Sequence, residues 1–236
     1  MKLKSFGCSF VFGSDLDDCD NSPPRPKNSN QTWPAHLAKR LGYEYQCYAR
    51  PGGGNLQIAE QVLNQLEVSL DSDLFVIAWT WIDRFDYWTD SCVLGTDFYK
   101  TNWKTISPGD TEELSKIYYQ NLHTEYRDKL TTLMNMKLII DTLKQKRIPF
   151  VMTYMDQLVF DKQWHVSASI LALQSYVQSY MTTFEGQTFL DWSRKHKYKE
   201  SLAWHPLEQA HQAAADYMIT VVDKQNTGAP VPQVRV

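Results

Sequence analysis

Two residues near opposite ends of the chain, Ser9 and His205, have neighbours that suit them to chemistry at a carbonyl group. Gly7-Cys8-Ser9-Phe10 follows a short apolar run. A small residue two before a serine lets the chain turn sharply, and a serine at a strand-to-helix turn presents its hydroxyl while nearby backbone N–H groups face an oxyanion. Taken alone, a glycine two before a serine more often marks a turn or helix-capping residue than a nucleophile, and Cys8 reads as a small buried hydrophobe. His205 precedes Pro206, which suits the first position of a helix. The imidazole then stands at a helix entrance, where the dipole disfavours its charged form; paired with a presented serine it is a general-base candidate.

Two further blocks carry polar groups. Ala49-Arg50-Pro51-Gly52-Gly53-Gly54-Asn55 opens into a helix, and its glycines permit close approach while helix-start amides offer donors to developing negative charge. The alternative is a flexible connection, and the Asn55 amide at the helix entrance is a candidate donor and equally a cap. In Thr80-Trp81-Ile82-Asp83-Arg84, Thr80 and Trp81 are candidate substrate contacts, and Arg84 either binds an anionic substrate group or pairs with Asp83 or Asp86. The other histidines, His36, His123, His165, His196 and His211, show no ligand spacing, so neither a metal nor a cofactor is expected. The basic stretch 194–199 reads as a solvated turn.

These blocks need elements to hold them. Runs rich in Val, Ile, Phe and Leu at 3–6, 74–79 and 150–154 lack strict alternation and predict strands buried on both faces, with a further strand at 44–48 and a final one at 188–191. Helical spacing appears at 33–41, 55–70, 112–146 (one long helix or two joined), 166–182 and 207–224. Strands alternating with helices predict an α/β domain with a parallel sheet covered on both sides, where functional groups collect beyond the carboxyl ends of the strands. Segments 15–31 and 86–110 read as surface loops, the second long enough to shape a pocket. A single domain over 1–224 and an extended or mobile tail over 225–236 complete the expected layout.

Composition narrows the function. The 236 residues carry 24 Lys+Arg against 27 Asp+Glu, a formal charge of -3, which supplies no large basic surface for nucleic acid. No apolar run is long enough to span a bilayer, and the first residues do not read as a secretory signal, so a cytoplasmic location is expected. Cys8, Cys19, Cys47 and Cys92 form no CxxC pair. Aromatics make up 13% of the chain, with eight Trp, several of them crowded between Trp79 and Trp103, where most should be core and part should face a ligand.

The order of the blocks Gly7-Cys8-Ser9-Phe10, Pro51-Gly52-Gly53-Gly54-Asn55 and His205-Pro206 resembles the SGNH (GDSL-like) hydrolase superfamily, most of all its phage and marine-microbial members with Gly-Cys-Ser-Phe in the first block. The likeness runs from residue 6 to about 218. It implies a flavodoxin-like three-layer α/β/α fold, hydrolysis of carboxylic esters, Ser9 as nucleophile, His205 as base, and the Ser9 and Gly52 amides as oxyanion donors. It also implies a small-molecule or carbohydrate ester as substrate, an O-acylated sugar being the first choice given the aromatic segment. Two departures stand out. The family's asparagine after the third strand is missing, leaving Asn55 or Thr80 to substitute, and the aspartate three residues before the histidine is replaced by Leu202. A backbone carbonyl, or an acid from elsewhere such as Asp15, Asp156 or Glu208, would have to orient His205. The rival readings are a catalytically degenerate binding or virion-associated module of the same fold, and a cofactor protein that cradles phosphate on residues 9–14.

Overall fold

The computed structural model describes residues 1–22, 26–89 and 102–226, with only the backbone of 223–226. Strands β1 (Lys2–Phe6), β2 (Glu44–Cys47), β3 (Leu74–Trp79) and β6 (Phe150–Tyr154) form a four-stranded parallel sheet in the order β2-β1-β3-β6. Each pair is parallel, with Leu3 beside Tyr45 on one side and Leu74 on the other, and Val76 beside Val151. The absence of alternation in the apolar runs follows from this arrangement. All six residues of β3 are buried: Leu74 and Val76 enter the core on one face of the sheet, and Phe75, Ile77 and Trp79 enter the core on the other.

Helices cover both faces. On the first lie α2 (Trp33–Leu41), α7 (Phe189–Lys195) and α8 (Glu208–Asn226), burying Trp33, Leu37, Phe189, Trp192, Ala214 and Met218 against the strands. On the second lie α3 (Asn55–Leu66), α5 (Glu125–Lys146) and α6 (Ala168–Gln178), contributing Ile58, Val62, Leu133, Met136, Ile140, Ile170 and Val177. This is the three-layer α/β/α fold expected from the sequence. Because β1 has neighbours on both sides and the chain moves first to one and then to the other, the carboxyl end of β1 is a topological switch point, where open sheets of this kind leave a crevice. A one-turn helix, α1 (Ser9–Phe12), begins there.

Several elements differ from expectation. Residues 188–191 do not form a strand. Thr188 caps α7 by accepting from the Asp191 amide, and its hydroxyl also donates to the Asp191 carboxylate, so Thr-Phe-Leu-Asp is a helix start. Segment 86–110 is not simply a loop: β4 (Phe85–Trp88) and β5 (Trp103–Ile106) pair as an antiparallel ribbon, while residues 90–101, including Cys92, Phe98 and Tyr99, lie outside the described residues. Segment 112–146, in contrast, agrees with the second of its two expected forms: it is two helices, α4 (Glu113–Asn121) and α5, parted where the Thr124 hydroxyl accepts from the Arg127 amide. Helix α3 stops at Leu66, and α8 continues through Asn226, into the stretch expected to be a tail; residues 227–236 lie outside the described residues. Among the described residues no helix is long and apolar enough to cross a membrane.

Candidate active site at the carboxyl end of the first strand

Ser9 is the first residue of α1, directly beyond β1. The turn that places it is tight: a Cβ on Gly7 would lie 2.7 Å from Val11 Cγ2 and 3.1 Å from the Ala78 carbonyl, so only glycine lets β1 run into α1 against the end of β3. Helix α1 closes at Gly13, whose left-handed φ of 81° turns the chain back toward Asp15. That segment is braced from outside. The Asp17 amide donates to Glu208 Oε1 at 3.2 Å, and Asn21 Nδ2 donates to the Ser14 carbonyl at 2.6 Å.

His205 arrives from the other end of the chain on a short antiparallel turn. Ser201 N donates to the His205 carbonyl at 2.9 Å, Leu207 N donates to the Lys199 carbonyl at 3.0 Å, and Glu200 bridges Pro206. This turn and the Asp15 segment bring three side chains into line. His205 Nε2 lies 2.8 Å from Ser9 Oγ, and His205 Nδ1 lies 2.6 Å from Asp15 Oδ2. A carboxylate can only accept, so Nδ1 carries the ring proton and Nε2 is left to accept from the serine hydroxyl.

Ser201 completes the arrangement. Its hydroxyl donates to Asp15 Oδ2 at 2.5 Å and accepts from the amides of Ala203 at 3.1 Å and His205 at 3.2 Å. Burial presses the Asp15 carboxyl upward, but the bonds from Ser201 and His205 outweigh it and hold the carboxyl below its ordinary value. The carboxylate is thus kept ionised beside the ring. Asp156 and Glu208, the other acids that sequence allowed for this place, are engaged elsewhere. Asp156 accepts from the Ile82 and Leu158 amides, and Glu208 from Asp17. Leu202, standing where the family pattern has its aspartate, is fully exposed.

At Gly54 and Asn55 the second block has a different role from the one its amides suggested. The Gly54 amide at 2.9 Å and the Gln57 amide at 3.0 Å donate to the carboxylate of Asp86, which also accepts from Thr105 Oγ1 at 2.6 Å. Asp86 therefore caps α3 from the β4–β5 ribbon, and a Cβ on Gly54 would lie 2.5 Å from that carboxylate. Asn55 is likewise committed: its Oδ1 accepts from the Thr80 amide at 2.8 Å, and its Nδ2 donates to the Thr80 carbonyl at 3.1 Å. It fixes the end of β3 rather than offering a side-chain donor to the site. Gly52, exposed and with φ of 75°, has an amide with no acceptor among the described residues, as does Ser9.

Ser9 and His205 open onto a cavity of about 240 Å³ whose other walls are Phe10, Trp81, Arg84, Leu190, Arg194, Ala203 and Trp204. Phe10 meets the His205 ring edge-on at 4.8 Å. Of the expected substrate contacts, Trp81 and Arg84 reach this cavity; Thr80 is buried behind it and its hydroxyl finds no partner among the described residues. Arg194, read from sequence as part of a solvated turn, is at the wall, its guanidinium on Glu200 at 2.9 and 3.1 Å. A larger cavity of about 480 Å³ lies at the amino end of the sheet, beside Leu74 and Phe150, away from these groups. His211 plays a structural part, its Nδ1 accepting from the Trp33 amide at 3.0 Å in full burial.

Solved structures with this architecture are numerous at low sequence identity. A member of the lipolytic G-D-S-L family from Veillonella parvula DSM 2008 is 10% identical, covering 95% of this chain and 99% of its own, with a TM-score of 0.51. The psychrotrophic esterase EstA from Pseudoalteromonas sp. is 8% identical, covering 96% and 98%, with a TM-score of 0.53. A carbohydrate esterase family 2 enzyme with a carbohydrate binding domain, from Corynascus thermopiles (Myceliophthora fergusii), is 13% identical, covering 96% of this chain and 66% of its own, with a TM-score of 0.52. These likenesses show the fold. No family model matches the sequence, and neither does any curated protein.

Proposed function

We propose that the chain is a serine hydrolase of carboxylic esters. The observation that carries this reading is the unbroken line from Ser9 Oγ through His205 to Asp15, at 2.8 and 2.6 Å. In it the serine hydroxyl attacks the acyl carbon while Nε2 of His205 takes its proton. The imidazolium formed is stabilised by the Asp15 carboxylate, and the proton is returned to the leaving alcohol. Water then repeats the sequence on the acyl-enzyme, releasing the acid and Ser9. The Ser9 and Gly52 amides are assigned to the oxyanion. Asp15, oriented by Ser201, takes the place of the family's aspartate before the histidine, which answers the departure at Leu202.

The aromatic walls, Phe10, Trp81 and Trp204, suit a flat or ring-shaped substrate, and support an O-acylated carbohydrate as the substrate class. The fold is shared with proteins described as lipolytic, as an esterase and as a carbohydrate esterase. Hydrolysis of 4-nitrophenyl acetate tests the reaction class. Turnover by the parent, lost by roughly 10⁴ or more in Ser9→Ala, is expected; equal rates for the two proteins would overturn the assignment.

A further inference from the structure

Two guanidinium groups face the small cavity that holds Ser9 and His205, and they differ in one respect. Arg194 is neutralised by a two-pronged bond to Glu200. Arg84 has no carboxylate within ion-pair distance among the described residues. The adjacent acids, which the sequence offered as partners, do not serve: Asp86 spends its oxygens on Gly54, Gln57 and Thr105, and Asp83 feels the Arg84 charge without forming an ion pair with it.

Arg84 is nonetheless held in place. Its Nη1 donates to the Gly53 carbonyl at 2.9 Å, and its guanidinium lies over the Trp81 ring, 4.9 Å from the centroid. A half-buried guanidinium fixed on one edge and one face has most of its five N–H donors still to satisfy, and stacking on an aromatic ring costs it none of its charge. A fork of this kind matches a carboxylate in two parallel bonds. Ser9 and Arg84 line the same cavity of about 240 Å³, so one ligand seated in it can meet both.

We propose that Arg84 makes this cavity a receptor for esters that also carry a carboxylate, the anion seated on the guanidinium while the ester carbonyl lies at Ser9. The substrate class is then an acylated acidic molecule, such as an acidic sugar or a hydroxy acid, in preference to a neutral ester. This rests on the reading of Ser9 as the nucleophile, and the test separates the two.

Labelling of Ser9 by a neutral fluorophosphonate is followed in the presence of 4-acetamidobenzoate or its uncharged counterpart 4-acetamidobenzamide, both inert to ester hydrolysis. The carboxylate is expected to slow labelling at a concentration about tenfold lower than the amide does, the equivalent of one charge-assisted hydrogen bond. Arg84→Gln should erase that difference, and Arg84→Lys, which keeps the charge without the fork, should retain part of it. Equal protection by both compounds in the parent, or an undiminished difference in Arg84→Gln, would overturn the proposal. It would also fall if the Arg84 variants lost labelling itself while the parent showed no discrimination, since the guanidinium would then serve the reacting oxygen. A parent that takes no label contradicts the Ser9 assignment alone; calorimetric titration of the same two compounds into the parent and Arg84→Gln then decides the anion site by itself.

Discussion

Asp15 Oδ2 lies 2.6 Å from Nδ1 of His205, a residue 190 positions away in sequence. The contact joins the segment that leaves the first strand to the turn that enters the last helix. It supplies the acid from the serine's own end of the chain, while the acids flanking the histidine in sequence, Glu200 and Glu208, are held by Arg194 and by the Asp17 amide. In Asp15→Asn the side-chain amide can present its N–H₂ to Nδ1, which favours the wrong tautomer and turns a proton toward Ser9. Ester turnover is expected to fall by about 10⁴ with KM little changed. A loss below tenfold would place the orienting group elsewhere.

Ser201 touches Asp15 and the backbone of its own turn, and under the proposed function it acts as a positioning residue. Ser201→Ala removes one of the bonds that hold the Asp15 carboxyl low. The acid limb of the pH–kcat profile should move, and Ser201→Thr, which restores the hydroxyl, should return it toward the parent. A lowered rate with an unmoved profile would indicate a structural role only.

Asn55 separates two readings of one residue. As an oxyanion donor its loss would cost ~10²–10³ in kcat with little effect on folding. As found, it satisfies the buried Thr80 amide and carbonyl, so Asn55→Ala should destabilise the fold by about 1–3 kcal/mol for the donor left unpaired. Urea unfolding measures this directly; unchanged stability with a large fall in kcat would restore the catalytic reading.

His211 makes stability depend on pH. Burial, with the charges of His36 and His205 behind it, pulls this ring down to about 3, whereas an unfolded histidine titrates near ~6.5. Between those values the unfolded chain takes up a proton that the folded chain refuses. The stabilisation is complete above the unfolded value and is lost as pH falls below it, at up to about 1.4 kcal/mol per pH unit. His211→Asn should flatten the dependence between roughly pH 6 and 4, read from urea midpoints; an identical slope would contradict the assignment.

The sheet and its helices were legible because long-range order in this fold is written locally. Apolar runs without alternation predicted strands buried on both faces, and β3 is buried at every position. What failed was local chemistry with two outcomes. Residues 188–191 are compatible with a strand through the apolar pair Phe189 and Leu190, yet the side chains of Thr188 and Asp191 close a helix cap. The amides around the glycines before Asn55 read as donors to developing negative charge, and the carboxylate that takes the Gly54 amide, Asp86, comes from an antiparallel ribbon in a segment that reads as a loop. Ser9 and His205 announced themselves through their flanking Gly7 and Pro206. Asp15 was one acid among three, because nothing in its neighbours records the Ser201 hydroxyl or the Glu208 brace that select it.

The most direct test is intact-mass measurement after exposure to a fluorophosphonate, with Ser9→Ala and Asp15→Asn alongside, since such a reagent reacts with a serine only where a base and oxyanion donors activate it. One adduct on the parent, mapped to Ser9, none on Ser9→Ala and slowed addition to Asp15→Asn are expected. A parent that stays unmodified, or an adduct that persists in Ser9→Ala, would contradict the assignment of Ser9, His205 and Asp15 as a working catalytic triad.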